Sequence, residues 1–136
     1  MQKCRVIPFF YKRLIETDGV QDSWLYIDLD LPQITDLGPH IEGITVHTNT
    51  ENITSNMEWT VVIWHSMDGK VWAPSSSPSA LFTAVSTDGQ AIQDGYSDSS
   101  NFGLKMKLSL ACRNTTTGSD RRTAIVSAAG VFKMCT

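Results

Sequence analysis

The chain has 136 residues, of which 41% are hydrophobic and 18% charged, and its formal net charge is −3. That length suits a single domain, 1–136, able to bury roughly two-thirds of its unfolded surface, and the composition is that of an ordinary globular protein with charge below the usual share. The slightly acidic balance gives no electrostatic footprint for nucleic acid or an anionic membrane surface, and no apolar run reaches the length of a membrane span.

Near the N-terminus basic residues precede a short apolar patch, Val6 to Tyr11. Pro8 lies within the patch, and Lys12 and Arg13 close it at once, so it lacks the uninterrupted run of a secretory segment. Synthesis in the cytoplasm is therefore expected, with a final location in a virion if the assembly reading below holds. Arg5 to Leu14 is the first strand candidate, and Pro8 marks it as an edge because proline cannot donate to a ladder. Phe9, Phe10 and Tyr11 follow one another, and three consecutive aromatics on a strand cannot all face a core. Thr17-Asp18-Gly19 marks a turn.

Trp24 to Leu31 alternates with period two. Leu25, Ile27, Leu29 and Leu31 share a face that belongs in a core, while Trp24, Tyr26, Asp28 and Asp30 share the face that belongs in water. Pro32, Gly38 and Pro39 break the pattern before Ile44 to Thr48, and the polar segment 49–56 reads as a loop.

Glu58 to Trp72 holds three of the four tryptophans. It reads as a long buried strand, an Asp68-Gly69 turn and a return strand. Trp59, Val61 and Ile63 lie on one face, but Val62 and Trp64 on the other are apolar too. A two-residue hairpin turn would set His65 opposite Trp72 and Ser66 opposite Val71, placing Trp72 on the Trp59 face, and a bulge would reverse that assignment.

After a Ser/Pro loop, Ala80 to Ser86 reads as a short strand. Residues 87–101 read as a long irregular loop, of the kind that is often functional. Phe102 to Cys112 is the cleanest strand: Phe102, Leu104, Met106, Leu108, Leu110 and Cys112 point one way, and Lys105, Lys107, Ser109 and Ala111 the other. A turn over 114–120 leads to a final extended run, Arg122 to Met134. About eight strands without an amphipathic helix predict an all-β antiparallel sandwich, with a jelly roll favoured over an immunoglobulin-like topology.

Cys4, Cys112 and Cys135 form no C-x-x-C spacing. Free buried thiols are expected, and a Cys4–Cys135 pair stays open. The two N-x-T sequons, at Asn52 and Asn114, read as chance matches in the absence of a secretory signal.

The run Ser66-Met67-Asp68-Gly69-Lys70-Val71-Trp72 resembles the S-x-D-G-x-x-W hairpin of discoidin-like, galactose-binding-like β-sandwiches. In that family a long strand precedes the hairpin, and a later strand is similar to Phe102–Ala111. The resemblance covers roughly the C-terminal 80 residues. It implies a sandwich whose end loops bind sugars, lipids or proteins, in some members beside a structural calcium ion.

Chemistry is sparse. His40, His47 and His65 lack metal-ligand spacing, and His65 reads as a structural histidine. Asp28 and Asp30 could form a carboxylate pair, but their face reads as solvated. Asp88, Asp94 and Asp98 could converge on calcium, although the spacing of a dedicated loop is absent. No nucleophile elbow, phosphate loop or dinucleotide fingerprint occurs. No catalytic residue, cofactor or metal is expected, and the chain is read as a non-enzyme.

The residues assigned to partner contact are Phe9, Phe10, Tyr11, Val62 and Trp64, because apolar side chains that cannot all reach one core need a cover. The expected function is that of a structural protein docking onto a larger protein assembly, most plausibly a capsid decoration or other virion component that also forms homo-oligomers. The alternative is a discoidin-type carbohydrate-binding module in which Trp24, Trp72 and Tyr96 serve as glycan platforms.

Overall fold

A computed structural model describes residues 3–37, 40–72, 79–80, 82–96 and 105–134, without the side chains of 79–80 and 95–96. Among these residues the chain forms eight strands: β1 (Lys3–Glu16), β2 (Leu25–Asp28), β3 (Ile41–Glu51), β4 (Met57–Ser66), β5 (Ser79–Ala80), β6 (Gly89–Tyr96), β7 (Lys105–Asn114) and β8 (Thr123–Met134). A short 3-10 turn, Pro32–Ile34, lies between β2 and β3.

The strands make two four-stranded sheets with orders β1-β8-β3-β6 and β2-β7-β4-β5. Every pairing between named strands is antiparallel, with β1 on β8, β2 on β7, β3 on β6 and β4 on β5. Pairs nested in this way, outermost with outermost, are what remains when one long hairpin is rolled into two facing sheets. That is the jelly roll the strand count favoured.

The core follows the period-two faces. Trp59, Val61 and Ile63 from β4 are fully buried, as are Met106, Leu108, Leu110 and Cys112 from β7, and Phe132 from β8 faces them across the sandwich. The indole N–H of Trp59 donates to Thr50 Oγ1 at 3.0 Å, so the largest core side chain buries no unpaired donor. In β8, Gly130 leaves room for two rings. A Cβ there would come within 2.6 Å of Phe9 Cζ and 2.7 Å of Phe132 Cε1.

Pro8 does lie on an edge strand, since β1 pairs only with β8. The three consecutive aromatics are resolved by two irregularities in the β1–β8 register, between Pro8 and Phe10 and between Phe10 and Arg13. An extra residue in one strand shifts the alternation, so Phe9 packs edge-on against Phe132 and Phe10 edge-on against Trp59. Lys12 adopts φ +45° and its backbone N–H donates to Ser127 Oγ at 2.9 Å. Tyr11 is left pointing outward, 80% exposed.

A polar knot ties the loops at one end. Thr17 Oγ1 donates to Asn114 Oδ1 at 2.6 Å and accepts the Arg122 N–H at 3.0 Å. The buried Arg122 guanidinium donates to Asn56 O, Thr116 Oγ1 and the Asp120 carboxylate. Gly19 sits here at φ +81°, and a Cβ on it would fall 2.6 Å from Ser119 O.

Three expectations are overturned. The stretch 87–101 is not one irregular loop, because β6 runs through it and pairs with β3. Its polar side chains and Asp-Gly pairs hid a strand held chiefly by its backbone ladder at the edge of a sheet. The return strand after Asp68-Gly69 does not form. Ser66 Oγ accepts the N–H groups of Asp68 and Gly69, and Asp68 Oδ1 accepts those of Lys70 and Val71. The turn is thus closed by its own side chains, and β4, paired with β7 on one side, meets β5 on the other, at Val62↔Ala80 and Ile63↔Ser79. The strand expected over Ala80 to Ser86 shrinks to Ser79–Ala80 plus an isolated bridge between Trp59 and Val85.

Candidate functional site: two outward sheet faces

The outer face of the β2-β7-β4-β5 sheet gathers most of the singled-out aromatics. Cross-strand rows set Tyr26, Ala111 and Thr60 side by side, then Asp28, Ser109 and Val62, then Lys107 and Trp64. Thr60, Val62, Ser109 and Ala111 are buried although they point away from the core. Trp64 and Tyr26, edge to face at 5.6 Å between centroids, roof over this small-residue floor. Trp64 Nε1 donates to Ser109 Oγ at 2.8 Å, and Ser109 Oγ donates to Asp28 Oδ1 at 2.6 Å. The Lys107 ammonium lies 5.5 Å from the Trp64 centroid, 5.0 Å from that of Trp72 and 3.1 Å from Asp28 Oδ2. Farther along, the Arg113 guanidinium stacks 4.2 Å from the Trp24 centroid and pairs with Glu58 at 2.6 Å.

This arrangement is charge on indole, a pairing that is stronger where it is partly dehydrated. The Ser109 hydroxyl, followed by Lys107, holds the Asp28 carboxyl below the ordinary aspartate value. Asp28 is thus a structural acceptor rather than half of an acid/base pair, and Asp30 lies beyond the end of β2 and is exposed. Half-burial pushes the His65 pKa down.

Trp72 joins the Trp64 face rather than the Trp59 face, because the turn gives no ladder to fix its register. Phe9 and Val62 are 7% and 5% exposed, and Phe10 is half-buried against Trp59, so this chain itself covers them. Trp64 keeps a half-buried indole, covered in part by Tyr26, Lys107 and Ser109. Tyr96 ends β6, and its side chain is outside the described residues. Tyr26, Lys107, Ser109 and Arg113 were missed as members of this surface. Their period-two placement opposite tryptophans was visible in the sequence, but their pairing across strands was not.

The outer face of the other sheet is different. Val6, Pro8, Tyr11 and Leu14 of β1 stand exposed beside Ile125, Ala129 and Val131 of β8, and Ile92 of β6 is 67% exposed. Between the β1 side chains and those of β3 and β6 runs a shallow groove of about 320 Å³, floored by the small side chains of β8.

The remaining candidates do not converge. Asp88 Oδ1 accepts the Ile53 N–H and Asp94 Oδ1 accepts the Thr45 hydroxyl, and these two residues lie at opposite ends of β6. Asp98 and Cys135 lie outside the described residues. Among the described residues no group of three or more His, Cys, Asp or Glu is placed to hold a metal, and no helix is long and apolar enough to cross a membrane. Cys4 is free and exposed, and Cys112 is free and buried, its thiol pushed up to about 11 by burial and by Asp18.

The class that topology and register define is the antiparallel jelly-roll β-sandwich. Within it, the chain is similar to the structure of the infectious bursal disease virus Gt strain, with a TM-score of 0.64 at 8% identity over 97% of this chain and 32% of that one. The Gx strain gives 0.64 at 11% identity over 98% and 33%. The VP2 subviral particle of the same virus gives 0.62 at 8% identity over 98% and 33%. The chain therefore spans about a third of the length of these structures, and identities this low establish a common fold. No family model matches the sequence, and no curated protein matches it.

Proposed function

We propose that this chain is a non-enzymatic structural module of a virion, a jelly roll that works by docking against other protein subunits. The observation carrying this reading is the superposition of nearly the whole chain on part of infectious bursal disease virus particle proteins. The outward faces support it. Val6, Tyr11, Leu14 and Ile92 expose large apolar side chains on one sheet, and exposed apolar patches mark contact sites. Tyr11 is the residue through which the aromatic run near the N-terminus meets a partner, and Trp64 is its counterpart on the other sheet. The docked partners are copies of the same subunit, and capsid decoration is the specific role proposed.

Sedimentation velocity and light scattering on the purified chain, followed by electron microscopy, test this. Concentration-dependent association that weakens on Tyr11→Glu or Leu14→Glu is expected. A monomer at every concentration, unaffected by either substitution, overturns the reading.

A second reading is a carbohydrate-binding module of discoidin-like type. Trp24 and Trp72 favour it, since both are half-exposed on one face beside cations. A glycan array combined with quenching of tryptophan fluorescence tests it, and silence across the array removes it.

A further inference from the structure

The groove on the β1-β8-β3-β6 sheet belongs to neither tryptophan surface and shares Phe10, Tyr11 and Ile92 with the expected or proposed docking contacts. We infer that it binds a neutral saccharide, with Tyr11 as the stacking wall and Asn49 and Gln90 as hydrogen-bonding groups opposite.

The floor comes first. Ser127, Ala128 and Ala129 of β8 are small, while Pro8 and Tyr11 rise on one side and His47, Gln90 and Ile92 on the other. The register holds these walls apart, since Pro8 and His47 both pair with Ala129 from opposite sides, and Ile92 pairs with His47. Tyr11 falls within the register irregularity between Phe10 and Arg13, is 80% exposed and lines the groove. A volume of about 320 Å³ is at the small end for a ligand site, and ligand sites are generally apolar concavities with a few well-placed polar groups.

The lining then selects the ligand class. It contains no lysine, arginine, aspartate or glutamate, so an acidic sugar or phosphate gains no ion pair there. Lys12 holds its ammonium over the Tyr11 ring at 5.8 Å but is not part of the lining. Among the described residues the side chains of His47, Asn49 and Gln90 make no hydrogen bond, although each can both donate and accept. An apolar floor, a tyrosine ring in the wall for the C–H face of a sugar, and neutral amides for its hydroxyls together match a pyranose ring. A purely apolar peptide would leave the amides unpaired.

This inference does not rest on subunit assembly, but the two share Tyr11 and Ile92, so a docked neighbour and a saccharide exclude each other there. The test is NMR titration of the isotope-labelled chain with the methyl glycosides of glucose, galactose, mannose and N-acetylglucosamine. Saturable amide shifts confined to 47–49, 90–92 and 127–129 are expected for at least one of them, with affinity in the millimolar range and little dependence on salt. Tyr11→Ala or the double change Asn49→Ala, Gln90→Ala should weaken binding by about tenfold, and Trp72→Ala should leave it intact. Tyr11 and Gln90 are exposed and Asn49 and Trp72 half-buried, and the unperturbed remainder of each spectrum verifies folding. No saturable shift with any glycoside, shifts centred on Trp24, Trp64 and Lys107, or binding that survives Tyr11→Ala overturns the inference.

Discussion

Trp64 gives its indole N–H to Ser109, 2.8 Å away on the neighbouring strand, and that bond seats a tryptophan on the outside of a sheet. Ser109 is fully buried and in turn donates its hydroxyl hydrogen bond to Asp28 Oδ1. Ser109→Ala therefore strands one donor and removes one acceptor's partner at once. A loss of about 1–3 kcal/mol is expected, read as a lower midpoint in urea with an unchanged slope. Tryptophan emission should change with it, because the indole loses its fixed neighbour.

The same relay sets an acid limit. Asp28 titrates below the ordinary aspartate value of 3.8 because Ser109 and Lys107 stabilise its charged form. A group depressed in the folded state contributes stability that is present above its unfolded pKa and lost as pH falls through the folded one. Melting temperatures should therefore drop from about pH 4 downward. Asp28→Asn should flatten that part of the curve. An unchanged acid profile in the variant would remove Asp28 from the account.

The paired rings over Gly130 make a steric prediction. A methyl group there meets Phe9 and Phe132 at distances no packed carbon tolerates. Gly130→Ala should destabilise by about 1–3 kcal/mol, the usual range for overpacking. Adding Phe9→Leu should recover part of that loss, since the nearest obstructing atom goes with the ring. Calorimetry on the two variants and the double variant measures the coupling.

The thiols should separate cleanly. Cys112 is buried and its pKa is about 11, whereas Cys4 is exposed on β1. Because the thiolate is the reactive form, alkylation at mildly alkaline pH followed by peptide mapping should label Cys4 in minutes and leave Cys112 unlabelled until the chain unfolds.

Much of this fold was legible in the sequence where one face of a strand is apolar and the other is not. The alternation in Met106 to Cys112 showed which side meets the core, and Pro8 announced an edge, whereas the strand from Trp59 to Trp64 is apolar on both faces and left its core side open. β6 was illegible for the opposite reason: Gln90, Gln93 and Asp94 have little to bury, and its stability lies in bonds to the β3 backbone. The discarded hairpin shows a second limit. Asp68-Gly69 is a turn in either case, but whether a ladder follows depends on what competes for β4, and that competitor is β5. The outward tryptophans were legible as an unanswered question about cover. The answer lay in Lys107, Arg113 and Ser109, whose placement requires knowing that β7 lies between β2 and β4. Faces can be read from one strand at a time; a surface needs the order of the strands.

The nested pairing also has a consequence for how the chain reaches this state. Lys3 pairs with Met134, so the outermost seam joins residues separated by almost the entire sequence. Bringing such distant segments together carries a loop-closure penalty that grows slowly with length but must be met before any contact rewards it. The inner pair, β4 with β5, closes the shortest span. Folding is expected to proceed from that centre outward, slowly for a protein of this size, with β1 and β8 sealing last. Mild denaturant should accordingly free the amides of the β1–β8 seam to hydrogen exchange before those of β4 and β7.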